Sequence, residues 1–275
     1  MKKILVPTDF SDTSKNAAKY AAQMLHDRPG TQMILYYVYD GLTAGSDGTL
    51  LAEDDEDRKV ILGQALWNMR SELNAISDVD ILTATEKGSS LIDSIDRYVR
   101  HHAIDLVVMG ITGATKLEQV FMGSNTLKLV NHCTCPVMIV PPDANYTPIK
   151  EVALTSDFKD VERTIPFESI KRLLDLFEPT LYVINVDSEH YVEISEEYKA
   201  EKKIMEEQFA NYDPQFAFIR LYDFLDAINQ FAHDKEVDFI ITVPKKHSFL
   251  SNLFRSSTTK KLAYHSHVPI VAIHE

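Results

Sequence analysis

Gly110, Gly113 and Gly123, the last followed by Ser124, fall within fourteen positions of the stretch "GITGATKLEQVFMGSNT". The spacing is G-x2-G-x9-G-S, and it follows directly on the apolar run "DLVVM". Glycine has no Cβ, so Gly110 and Gly113 can take positive φ and let a phosphate approach the backbone closely. Free N–H groups and the positive dipole end of a helix starting at Ser124 favour an anion. The chemistry this pattern suits is therefore phosphate binding by the backbone itself. It lacks the Gly-Lys-Ser/Thr of a Walker loop and is not a G-x-G-x-x-G dinucleotide loop. Glycine is also placed sparingly: all nine lie between Gly30 and Gly123, and the second half of the chain has none.

A strand must deliver these glycines and a helix must receive them, which turns the question to the whole chain. Its 275 residues suit two domains of ordinary size. With 45% hydrophobic and 25% charged residues, it has the balance of a soluble globular protein. A net charge of -13 argues against a general nucleic-acid binder, because phosphate contacts need a surplus of Lys and Arg. No apolar stretch approaches the ~20 residues of a membrane span. "MKKILVPTDF" has no signal-peptide core, so a cytoplasmic location is expected. Cys133 and Cys135, in C-T-C, stand too close for an easy mutual disulfide and lack partners at metal spacing; they read as buried thiols.

The chain repeats itself. "KKILVPTDFSD" reappears as "KEVALTSDFKD", pairing Asp9 with Asp157 and Phe10 with Phe158. "VNHCTCPVMIVPP" matches "AYHSHVPIVAIHE", and "IDLVVMG" matches "VDFIITV", with Asp105 opposite Asp238. A unit this long is a duplicated domain, with residues 1–144 and 149–275 joined through "PPDANYTP". Within the first copy, "KILVPT" and "TQMILYYVY" read as strands around the helix "SDTSKNAAKYAAQML", with Ser11 as its cap. A helix from about Glu53 to Ala75 follows, then strand "DVDILTATEKG", helix "SSLIDSIDRYVRHHA", strand "DLVVMG", a helix from about Ser124 and strand "PVMIVP". This alternation predicts an α/β class: two Rossmann-like domains, each a five-stranded parallel sheet with helices on both faces. Ligands bind such sheets where the strand order reverses, beyond the carboxyl ends.

These residues resemble the universal stress protein family, in particular its tandem two-domain members and its ATP-binding branch. The combination of "VPTDFS" with the glycine trio carries the resemblance. It implies an adenine nucleotide alpha hydrolase-like fold in each half. It also implies that Asp9, with Pro7 and Thr8, faces the ribose and adenine, and that the backbone of Val38 meets adenine. Met109 and Gly110 would lie beneath the nucleotide, Gly113, Gly123, Ser124 and Asn125 would form the phosphate cradle, and Thr112 would be a further nucleotide-binding residue. The implied ligand is ATP, or ADP or AMP, with magnesium or manganese beside the phosphates. Thr112 and Asn125 depart from the family's commoner residues. The resemblance further implies that "PVMIVP" and "PIVAIH" pair within one chain as a pseudo-dimer, with homodimerisation common among relatives.

In the second copy Gly110, Gly113 and Gly123 correspond to Val243, Lys246 and Ser256, so that half is not expected to bind ATP in the same manner. Lys245, Lys246 and Arg255 read as a solvated loop rather than a second anion site, and Asp157 and Ser257 remain near it. "EDDED" reads as an acidic helix start, and "SDGTLLAED" lacks the ligand spacing of an EF-hand. No catalytic or metal-ligating residue is assigned. The function expected is a nucleotide-binding stress-response regulator acting on a protein partner. The alternatives are a slow ATPase or self-phosphorylating enzyme, with Ser124 or Thr126 as acceptor, and a scaffold independent of nucleotide. Glu118, the one base within reach of the loop, reads as a surface residue.

Overall fold

An apolar strand that ends in Asp-Phe and turns into a helix opens each of two units of the chain. The computed structural model describes residues 2–40, 42–44, 50–52, 55–111, 124–186, 196–219, 224–244 and 268–274. Among these residues the first unit ends at Pro142 and the second begins at Asp143.

The first unit contains β1 (Lys2–Pro7), α1 (Asp12–Met24), β2 (Thr31–Tyr39), β3 (Leu42–Ala44), β4 (Leu50–Ala52), α2 (Asp55–Asn74), β5 (Asp80–Lys87), α3 (Leu91–His102), β6 (Leu106–Gly110), α4 (Ser124–His132) and β7 (Val137–Val140). Its strands lie in the order β7-β6-β1-β2-β5, all parallel. Parallel strands covered by helices are apolar on both faces, and β6 and β7 are buried along their whole length. The chain moves outward through β2 and β5, then crosses back to β6. Right-handed crossovers therefore put α1 and α2 on one face and α3 and α4 on the other. The strand order reverses between β1 and β6. β3 and β4 form an antiparallel hairpin apart from this sheet; the sequence reading passes over it, because three-residue strands leave no periodic signal.

α1 forms where it does because Ser11 caps it, its side chain accepting from the Ser14 amide. Ala17, Ala18, Ala21 and Ala22 are all fully buried, so alanine's small side chain brings the helix close to the sheet. α2 keeps an apolar outer face, with Val60, Ile61 and Trp67 exposed.

The second unit contains β8 (Glu151–Thr155), α5 (Val161–Thr164), α6 (Phe167–Leu174), β9 (Thr180–Val186), α7 (Glu196–Gln208), a 3-10 turn (Ala210–Tyr212), β10 (Gln215–Ile219), α8 (Phe224–Asp234), β11 (Phe239–Thr242) and β12 (Ile270–Ala272). Its parallel order, β12-β11-β8-β9-β10, repeats that of the first. The place of the single helix α1 is taken by two short ones. Pro166 cannot continue a helix and forces Ile165 into an extended conformation (φ −100°, ψ 117°).

The repeat extends to individual hydrogen bonds. The Asp105 carboxylate accepts from the Lys3 amide at 2.8 Å, and that of Asp238 accepts from the Glu151 amide at 2.9 Å. Thr8 Oγ1 accepts from the Phe10 amide at 3.0 Å, and Ser156 Oγ from the Phe158 amide at 3.1 Å. Phe10 and Phe158 both have positive φ, 61° and 51°, which is costly for a bulky residue and is held in place by that bond. Among the described residues no helix is long and apolar enough to cross a membrane.

Candidate functional site

The exits of β1 and β6 lie side by side at the reversal point of the first sheet, with Leu5 in register with Val107. Pro7 and Thr8 are buried and Asp9 is exposed. Thr8 turns its hydroxyl inward, within 3.1 Å of Ser14 Oγ, and so ties the turn to α1. Asp9 Oδ1 accepts from the Ser11 amide at 3.1 Å and the Ser11 hydroxyl at 2.5 Å, which aims the carboxylate from the loop rather than from the helix. Met109 is buried in β6.

Gly110 corrects one expectation. Its φ is not in the left-handed region, since among the described glycines only Gly30 has positive φ. It is the last residue of β6, and its need for glycine is steric. A Cβ there would stand 2.7 Å from the carbonyl oxygen of Thr13, in the first turn of α1. The strand exit and the helix start meet backbone to backbone.

Thr126, buried in the first turn of α4, donates to the carbonyl of Gly110 at 3.1 Å and is 3.4 Å from that of Ile111. This pins the start of α4, at Ser124 and the exposed Asn125, to the exit of β6. Thr112, Gly113 and Gly123, like Glu118, lie outside the described residues.

A cleft of about 670 Å³ opens beside this junction. Val38 and Asn125 line it, together with Asp40, Gly88, Ser89, Ser90, Asp93, Lys128 and His132 and two apolar residues of α3. Sequence reasoning named only the first two. Of the others, Gly88, Ser89, Ser90 and Asp93 carried a signal in "KGSSLID", a glycine and two serines between a strand and a helix, whereas Asp40, Lys128 and His132 carried none. Ser90 caps α3 by accepting from the Asp93 amide at 3.3 Å. A Cβ on Gly88 would meet Ser94 Oγ at 2.4 Å, so this glycine, like Gly110, lets a strand exit touch a helix's first turn. The expected residues thus divide between the β1–β6 junction and the cleft wall. The cleft has the volume of a small-molecule site and is lined by the carboxylates of Asp40 and Asp93 as well as by Lys128.

Two residues before Val38 in β2, Tyr36 donates to Glu86 Oε2 at 2.6 Å and Glu86 pairs with Arg97, which links β2, β5 and α3. Burial pushes the Tyr36 phenol up to about 12, so it stays neutral and offers no general base near neutral pH.

In the second unit, Val243 stands buried at the place of Gly110. Asp157 Oδ1 accepts from Lys159 at 3.3 Å. The amide that opens α5, on Val161, donates to Glu201 Oε2 of α7 at 2.8 Å. Lys245, Lys246, Arg255, Ser256 and Ser257 lie outside the described residues.

Residues 1–141, which hold the β1 turn, the glycine trio and the cleft, match the model of the universal stress protein family. The chain belongs to the universal stress protein family. The tandem arrangement of this universal stress protein is shared, over 99% of its length and 98% of the other chain, with a universal stress protein from Archaeoglobus fulgidus. The TM-score is 0.71 at 16% identity, a likeness of fold. Universal stress protein MJ0531 of Methanocaldococcus jannaschii is 29% identical over 143 residues, covering 50% of this chain and 81% of that one. Universal stress protein E of Salmonella typhi is 29% identical over 90 residues, 33% of this chain and 28% of that one.

Proposed function

We propose that the first unit binds one adenine nucleotide, with ATP the leading ligand and ADP or AMP the variants, and that the protein acts as a stress-response regulator through its occupancy. The observation that carries this reading is the Gly110 junction. The exit of β6, the first turn of α1 and the start of α4 are drawn together at the strand-order reversal. Thr126 holds the amides of α4 at the point where a phosphate would be received. The base and ribose would lie along Pro7–Asp9 and Val38, and the phosphates along Gly113, Gly123, Ser124 and Asn125. Members of the family can bind adenine nucleotides, and one universal stress protein has been solved in complex with cAMP. The glycines and the α4 amides would hold the phosphates, and a magnesium or manganese ion would offset their charge.

The second unit would not bind a nucleotide in this manner. A valine side chain fills the place of Gly110.

Denaturing freshly purified protein and chromatographing the released small molecules tests the reading. About one adenine nucleotide per chain, lost in Gly113→Val, is the expected result. Two per chain would overturn the assignment to the first unit alone. None, with no thermal stabilisation by added ATP and magnesium, would favour a scaffold. A ligand at a hundred times its Kd contributes about 2.7 kcal/mol, on the order of 5–10 °C in Tm for a unit of this size.

A further inference from the structure

We propose that Cys133 and Cys135 are a reversible redox pair, closing to an intramolecular disulfide on exposure to a small peroxide. The two sulfurs lie 3.6 Å apart on the same side of the bend at Thr134. Cys133 follows α4 and its amide closes that helix on Leu129 at 2.8 Å, while Cys135 precedes Pro136, whose carbonyl accepts from Val107 at 2.9 Å. Both flanking elements are therefore seated, and the exposed Thr134 is the part free to adjust. A disulfide needs the sulfurs at about 2.05 Å, a closure of about 1.5 Å from the observed separation, of the size that χ1 rotation and the bend can supply. Both cysteines are free and buried, in keeping with the sequence expectation of buried thiols, and their sulfurs stand close enough for an oxidant to join them.

The two thiols differ in character. Cys133 is held below the ordinary thiol value chiefly by its hydrogen bond with Cys135, and Cys135 is pushed well above it by the same bond and by burial. Nearby carboxylates, Asp96 for Cys133 and Asp105 for Cys135, oppose ionisation. Cys133 is the attacking sulfur and Cys135 the resolving one. A metal centre does not fit, because among the described residues no His, Asp or Glu completes a ligand set with this pair. Exposures of 2% and 8% restrict the oxidant to a molecule as small as hydrogen peroxide.

The chemistry balances. Cys133 sulfur attacks one peroxide oxygen, an S–O bond forms, the O–O bond breaks, and the departing hydroxide takes the Cys133 proton to become water. Cys135 sulfur then attacks Cys133 sulfur, an S–S bond forms, the S–O bond breaks, and hydroxide leaves with the Cys135 proton as a second water. The two sulfurs lose two electrons and the peroxide gains them. A dithiol reductant reverses the reaction by exchange.

The test uses the full chain, reduced, freed of reductant and treated under native conditions with millimolar hydrogen peroxide. It is then denatured, alkylated and weighed intact by mass spectrometry. The expected product is lighter than the starting chain by two hydrogens, has both thiols blocked, runs as a single chain without reductant, and recovers both thiols in dithiothreitol. In Cys135→Ser the same treatment should add oxygen to Cys133 instead. Retention of both alkylatable thiols would overturn the proposal, as would oxygen addition to the native pair, cross-linked dimers, or closure only after unfolding in urea.

Discussion

At the same point in two sheets of the same strand order, one unit places Gly110 and the other Val243. In the first unit the residue without a side chain admits the carbonyl of Thr13 to within 2.7 Å of where a Cβ would stand, and α1 runs on unbroken for thirteen residues. In the second, a buried valine stands at that exit and the first helix is only four residues long before Pro166 intervenes. The strand order, the Asp clamp at the strand start and the left-handed Phe turn are common to both. Those shared features hold the sheet together. The glycine and the capped helix start are particular to the first unit, where they let the exit of β6 meet the first turn of α1 backbone to backbone.

The largest expected effect comes from making the first unit resemble the second. Gly110→Val drives carbon into backbone and should destabilise the chain by about 3 kcal/mol, read as a lowered urea midpoint, with any bound nucleotide lost. A neutral result would make the contrast with Val243 incidental. Next, Asp238 accepts from Thr147 Oγ1 and from the Lys150 and Glu151 amides, whereas Asp105 accepts from the Lys3 amide. Asp238→Ala should therefore cost about 3 kcal/mol and Asp105→Ala about 1, and equal costs would mean that the clamp works identically in both units. Glu201→Ala removes the carboxylate that Val161 uses and should cost about 1.5 kcal/mol without creating nucleotide binding, measured by equilibrium dialysis. A gain of binding would show that the carboxylate alone closes the second unit. The smallest pair is Ser11→Ala, about 1 kcal/mol for a lost cap, against Asp160→Ala, about 0.5 kcal/mol or less, because Asp160 makes no side-chain cap.

Much of this was legible in the sequence, because the signals were periodic or local. The Ser11 cap, the extents of α2 and α3, and the pairing of Asp105 with Asp238 follow from spacing alone. The role of Gly110 was not, because a close approach between β6 and α1 depends on residues about a hundred positions apart. Nor was the cleft wall at Lys128 and His132, which only the packing of α4 beside the β5–α3 turn assembles. The Pro166 break was readable in principle, because a proline within the counterpart of α1 cannot continue a helix.

The chain's single tryptophan, Trp67, sits on the outer face of α2 at 59% exposure. At that exposure its indole should emit from a largely aqueous environment in the native protein, so its fluorescence should shift little when either unit unfolds. A flat emission trace during denaturation would not signal a stable fold, and a two-unit chain should be followed by circular dichroism instead. The same spectrum becomes informative in the opposite situation, since a blue shift on mixing with another macromolecule would report that the outer face of α2 has been taken out of water.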